Sequence, residues 1–327
     1  MHISMNICRW LEVGLKGEKV GKVILIIVIM LAILFAFGYF GLKKLWKNIL
    51  TAPMAPEKYI VEVTTGGEVE EKYMAAGSYE IGYFEAEYAE NADIKKVEIW
   101  DPEELKAGGE KYPVVLFVNS TGVAASRYRP VFEHLASWGF IAIGNEDPST
   151  WEGKKADATL SWLLAANEDE TSIFYHRVDT NNIGITGHSQ GGVGVFHAIN
   201  ETEHKELYKC AVSLSPTQED MAEALKMPYD SSKTAIPVMI LAGAPNDVIS
   251  LEGLNDMVKK ISAGVVVARR SNTDHGQMLY SGDGYVTAWF MWRLQGDEAA
   301  AAAFLRENAE ILHNANWQDV MINFPNN

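Results

Sequence analysis

The sequence predicts an α/β fold: a mainly parallel sheet flanked by helices, preceded by one N-terminal transmembrane helix. Three observations carry this expectation. From residue 113 onward, short apolar runs rich in β-branched residues alternate with longer helical segments, the pattern of successive β-α-β units. Between one such run and the next helical segment stands Gly187-His188-Ser189-Gln190-Gly191. Residues 23–42 form a 20-residue stretch without a charge.

Taken in order, residues 1–22 form a short basic segment. At 1.5 Å per residue, a helix over 23–42 spans about 30 Å, the thickness of a bilayer's hydrocarbon core. It is longer than the core of a cleaved signal peptide, and no A-x-A-like site follows closely, so a retained anchor is expected. It is apolar on all faces, which argues against a soluble helix. Arg9, Lys16, Lys19, Lys22 and the α-amino group precede it; Lys43, Lys44 and Lys47 follow. That small excess favours the N-terminus inside and the body outside the cytoplasm. Residues 43–57 read as a linker, and 58–327 as the globular domain.

Within that domain, 73–88 and 95–100 alternate in polarity and read as antiparallel edge strands. Residues 113–118 (PVVLFV) are a continuous apolar run, expected for a strand buried on both faces. A helix over 127–138 closes at Gly139, and 140–144 is a second buried strand. A helix over 154–167 follows, then a strand over 182–186 and a helix over 192–199. Residues 210–214, 238–242 and 265–268 read as strands. Residues 285–294 and 298–312 read as helices.

The charge is unevenly placed. Seven Lys/Arg against two Asp/Glu give residues 1–52 a net +5, while 21 against 41 give residues 53–327 a net −20. An acidic body of that size excludes nucleic acid as an expected partner. The two cysteines, Cys8 and Cys210, lie on either side of the apolar segment and are not expected to pair. No C-x-x-C or H-E-x-x-H spacing occurs, so neither a zinc site nor an organic cofactor is expected.

Residues 187–191 have the form G-x-S-x-G, the nucleophile elbow of α/β-hydrolases, in which a sharp strand-to-helix turn exposes a serine hydroxyl. The apolar strand before it and the packed helix after it supply the required context. A serine hydroxyl needs a base in contact and a group that orients that base. In this fold the order along the chain is Ser, acid, His. Asp247 lies in the loop after the 238–242 strand and is the expected acid. His275 follows the 265–268 strand and is the expected general base. Asp220, Asp230, Asp256 and Asp274 fit the post-strand position less well, as do His134, His176 and His204 among the histidines. His188 is expected to pack beneath the elbow, and His197 to be structural. The backbone N–H of Gln190, next to the nucleophile, is one expected oxyanion donor; the N–H of Thr121, in the loop after 113–118, is the other.

These residues give the chain a resemblance to the bacterial polyester hydrolases and cutinase-like lipases, and to the broader dienelactone-hydrolase-like group. It covers about 113–306 and rests on PVVLFVNSTG with its helix ending LASWGF, VDTNNIGITGHSQGG, PVMILAGAPNDVIS, and the His275 loop followed by TAWFMWRL. The resemblance implies an α/β-hydrolase fold with Ser189, Asp247 and His275 as the triad. Two departures count against polyesters or long aromatic esters. Asn119, Ser120 and Thr121 stand where the family commonly has Pro-Gly-aromatic, and Thr217 stands at a second aromatic clamp.

The expected function is hydrolysis of small-molecule or lipid-like carboxylic esters by a membrane-anchored enzyme, through an acyl-Ser189 intermediate. The alternatives are an amidase or peptidase using the same residues, and a silent binding protein on the same scaffold.

Overall fold

Among the described residues nine strands pair into one sheet in the order β1-β2-β4-β3-β5-β6-β7-β8-β9. The computed structural model describes residues 43, 51–88, 94–148, 150–305 and 307–325. Along the chain come α1 (Glu68–Met74), β1 (Ile81–Glu87), β2 (Lys96–Pro102), β3 (Tyr112–Val118), α2 (Arg129–Ser137), β4 (Ile141–Asn145) and α3 (Lys154–Glu168). Then follow β5 (Val178–His188), α4 (Gln190–Glu201), β6 (Tyr208–Leu214), α5 (Glu219–Ala224) and β7 (Val238–Ala244). The chain closes with α6 (Leu251–Lys260), β8 (Val265–Ser271), α7 (Asp283–Gln295) and β9 (Trp317–Asn323). From β4 through β3, β5, β6 and β7 to β8 the pairings are parallel. Those of β1–β2, β2–β4 and β8–β9 are antiparallel.

The two-residue period of a strand sorts its side chains between two cores. In β3, Val115 and Phe117 pack with Phe132 and Leu135 of α2 and Trp289 and Phe290 of α7. Val114, Leu116 and Val118 face the other side, with Leu160 of α3, Val193 and Phe196 of α4, and Leu254 of α6. Continuous apolar strands therefore separate two helical layers, and the parallel order directs the carboxyl ends of β3, β5, β6, β7 and β8 to one edge of the sheet. Local chemistry sets the helix ends. Ser250 accepts a hydrogen bond from the Gly253 N–H at 3.0 Å to start α6, and Gly296, at φ 69°, ends α7 in the left-handed conformation.

Two expectations need correction, and one strand was not expected. Residues 73–88 are not one strand. Glu70, Tyr73 and Met74 share a buried face at i, i+3 and i+4, so the chain is helical to Met74 and extended only from Ile81. Residues 298–312 are not one helix. Helical turns cover only Glu298–Ala301 and Glu310–His313; between them the chain folds back, with Glu310 N–H donating to Ala302 O, and Phe304 packs edge-on against Trp289 and Tyr285. The unexpected strand is β9. Its Trp-Gln-Asp-Val-Met-Ile-Asn sequence has weak alternation and is interrupted by Asp319 at φ 53°.

The expected basic segment and anchor, 1–22 and 23–42, lie outside the described residues. Among the described residues no helix is long and apolar enough to cross a membrane.

Candidate active site

β5 ends at His188 and α4 begins at Gln190, so Ser189 alone makes the turn, at φ 60° and ψ −120°. For a residue with a side chain this conformation costs about 1–3 kcal/mol. Its neighbours impose it. The Ser189 N–H donates to Leu214 O at 2.9 Å, tying the turn to β6. A Cβ on Gly191 would lie 2.1 Å from Val118 O, and one on Gly187 2.5 Å from Gly191 O. Only glycine permits so close an approach of strand and helix.

The loops after β7 and β8 converge on this turn. His275 Nε2 lies 2.9 Å from Ser189 Oγ, and its Nδ1 lies 2.8 Å from Asp247 Oδ1. The carboxylate can only accept, so Nδ1 carries the proton and Nε2 is free to accept the serine's. Asp247's side chain is fully buried, whereas His275's is 31% exposed, open toward solvent beside the nucleophile. Burial alone would raise Asp247's pKa. Hydrogen bonds from His275, Ser215 Oγ, Gly243 N–H and Val248 N–H outweigh it and hold the carboxyl below its usual range.

Of the expected oxyanion donors, one lies on the nucleophile's helix and the other on the loop that Ser120 ties to His188 O. Gln190 N–H opens α4, and Thr121 is exposed in the loop after β3. Neither N–H donates to a protein acceptor among the described residues. The loop carrying Thr121 is anchored by its predecessors. Asn119 Nδ2 donates to Asn145 O at 2.6 Å and Asp147 O at 2.7 Å, while Ser120 Oγ donates to His188 O at 2.8 Å.

Several contacts were not foreseen from sequence. Ser215, directly after β6 and at φ 43°, puts its hydroxyl 2.5 Å from Asp247 Oδ2. The available signal was a small hydroxyl residue closing the strand next to the nucleophile's. His188, expected to pack beneath the elbow, is buried, and its unforeseen contact is Nε2 2.7 Å from His275 O. Burial, followed by the nearby His275, pushes its pKa down to about 4. Thr217 is buried, and its carbonyl accepts from Tyr229 OH at 3.0 Å. The segment after β6 also reaches the elbow, where Gln190 Nε2 donates to Met227 Sδ at 3.3 Å.

The remaining candidates engage other partners. Asp274 caps Gln277 N–H, Asp256 pairs with Lys259, Asp230 accepts from Ser232, and Asp220 from Gln218. His134 pairs with Asp283, His197 with Glu201 and His204 with Asp157; His176 lies against the Tyr175 ring. Among the described residues no group of three or more His, Cys, Asp or Glu is placed to hold a metal ion.

Two similarities to known proteins bear on this arrangement. Residues 69–243 match the family model for Chlorophyllase. That span holds Ser189 and Ser215 and ends four residues before Asp247, so His275 lies beyond it. The platelet-activating factor acetylhydrolase of Cavia porcellus is 25% identical over an aligned part that makes up 33% of this chain. The match spans only 36% of that relative's length.

Proposed function

The chain belongs to the chlorophyllase family within the α/β-hydrolase superfamily, and from that premise we propose that it is a serine ester hydrolase acting through Ser189, His275 and Asp247. One observation carries the reading: a single imidazole bridges the strained serine and a buried carboxylate at 2.9 and 2.8 Å.

His275 Nε2 takes the hydroxyl proton as Ser189 Oγ attacks the ester carbonyl. Asp247 holds the Nδ1–H and stabilises the imidazolium. Charge developing on the carbonyl oxygen falls between the Gln190 and Thr121 N–H groups, whose donors are not spent on acceptors among the described residues. His275 then protonates the departing alcohol, leaving an acyl group on Ser189. Water, deprotonated by the same imidazole, releases the acid and restores the serine. The relative named for acetyl hydrolysis supports an ester-type acyl group. Small-molecule or lipid-like esters are the proposed substrates.

The test is labelling with a fluorophosphonate, followed by a panel pairing esters with anilides. Labelling of the wild type and its loss in Ser189→Ala are expected, with esters turned over and anilides not. A folded, unlabelled wild type would favour a binding role, and anilide turnover an amidase. Attachment to a membrane through residues 23–42, with the body outside the cytoplasm, is part of the proposal. Its support is the uncharged run flanked by lysines. Extraction of the full chain by alkaline carbonate would refute it.

A further inference from the structure

We propose that His188 is a positioning residue, tying the loop that carries the base to the loop that carries Thr121. This rests on the serine-hydrolase reading above. His188 Nε2 lies 2.7 Å from the backbone oxygen of His275. A carbonyl only accepts, so Nε2 carries the ring's proton and Nδ1 presents a lone pair. Ser120 Oγ stands 3.1 Å from that Nδ1 and 2.8 Å from His188 O, and its one proton is shared between these two acceptors of His188. Ser120 is fixed from behind as well, its N–H donating to Tyr128 OH at 2.7 Å.

One buried side chain therefore stands between the loop that carries His275 and the loop that carries Ser120, while its own backbone continues into the nucleophile. The rings of His188 and His275 lie 4.6 Å apart and tilted by 36°, so a change in one fixes the space open to the other. An apolar ring in place of His188 would fill the volume. It would leave the His275 carbonyl without this donor and Ser120 without the Nδ1 acceptor. The neutral state also suits the place, because the imidazolium formed on His275 during turnover does not face a second cation.

The variants His188→Phe, His188→Gln and Ser120→Ala, with the wild type, are compared by fluorophosphonate inactivation rate, kcat and KM on a soluble ester, the pH profile of kcat/KM, and thermal midpoint. His188→Phe is expected to react on the order of 10²-fold more slowly, with the loss in kcat and the imidazole limb of the pH profile displaced. His188→Gln, whose amide can donate to the same carbonyl, is expected to recover about tenfold of that loss. Ser120→Ala is expected to lower kcat several-fold at unchanged KM. A folded His188→Phe that reacts at the wild-type rate with an unmoved pH limb would overturn the proposal, as would equal losses in the Phe and Gln variants. If His188→Phe does not fold, Ser120→Ala decides, and a wild-type rate and profile there count against it. A wild type that is not labelled at all removes the hydrolase reading and this one together; a labelled wild type with indifferent variants removes only this one.

Discussion

Ser215 holds Asp247 from the side opposite His275, hydroxyl to carboxylate at 2.5 Å. The two sit at the ends of neighbouring parallel strands, β6 and β7, so their meeting follows from sheet order. Among the described residues Asp247 takes four donors, two on each oxygen. Ser215→Ala removes one without opening a large cavity. A hydrogen bond to a charged group contributes about 1.5–3 kcal/mol, so kcat/KM should fall roughly tenfold or more. Ser215 is also among the groups that lower Asp247's pKa, so the variant should lose activity on acidification at a higher pH than the wild type does. Ester turnover from pH 4 to 8 checks both; an unshifted profile at full rate would show that Ser215 does not hold the acid.

Asp247→Asn tests the acid itself. The amide offers His275 Nδ1 either an oxygen or an N–H, and with the N–H turned inward the ring's proton moves to Nε2, facing the serine. Turnover should then fall on the order of 10⁴-fold. Fluorophosphonate labelling should slow in parallel. A thermal midpoint near the wild type's would place the loss in the chemistry. Retention of most activity would point to another carboxylate as partner.

The elbow and its three side chains were legible because each lies where a short, strongly patterned strand ends. Ser189, Asp247 and His275 follow β5, β7 and β8, strands whose apolar runs are unambiguous. Support from the side was harder to read. Ser215 reaches Asp247 only because β6 lies beside β7, and the contacts of His188 depend on two distant loops. Weakly patterned edges misled the reading of secondary structure. At Glu70, Tyr73 and Met74 the buried face is helical, and its meaning comes from tertiary partners: Glu70 accepts from Arg270, Trp317 and Asn314. The strand at Trp317–Asn323 exists because β8 offers it an edge.

Gly191→Ala should be severe for a change of one methyl group. The added Cβ would lie 2.1 Å from Val118 O and 2.9 Å from Asn119 O, both backbone atoms where β3 ends and its loop begins. Strand and helix must separate, shifting the Gln190 N–H and the serine together. A loss of about 1–3 kcal/mol in stability is expected from overpacking alone. Activity should fall by more than that figure converts to, because geometry and stability fail at once. Urea unfolding and ester kinetics on the same preparation separate the two. A variant with both near wild type would mean the elbow relaxes more freely than its contacts imply.

His134 ties the N-terminal part of the domain to its core, and its protonation gives stability a definite pH dependence. Nδ1 lies 2.6 Å from Asp283 Oδ2 and Nε2 2.9 Å from Ala75 O. Two acceptors call for two N–H donors, so the buried ring is an imidazolium. Burial by itself disfavours the charge, but Asp283's charge and hydrogen bond, with the Ala75 carbonyl, prevail and raise the pKa above its ordinary value. Tyr59 OH donates to the same Asp283 oxygen. A group whose folded pKa is raised contributes stability that is fully present below the unfolded value, about 6.5 for histidine, and is lost as pH climbs through the folded value. The urea midpoint should therefore fall from pH 6 to the alkaline side. His134→Gln keeps one donor and cannot titrate. It should be less stable at pH 6 by about 3–5 kcal/mol, the cost of removing one partner of a buried pair, and its deficit should shrink as pH rises. Parallel profiles for wild type and variant would mean that the pair contributes no pH-dependent stability.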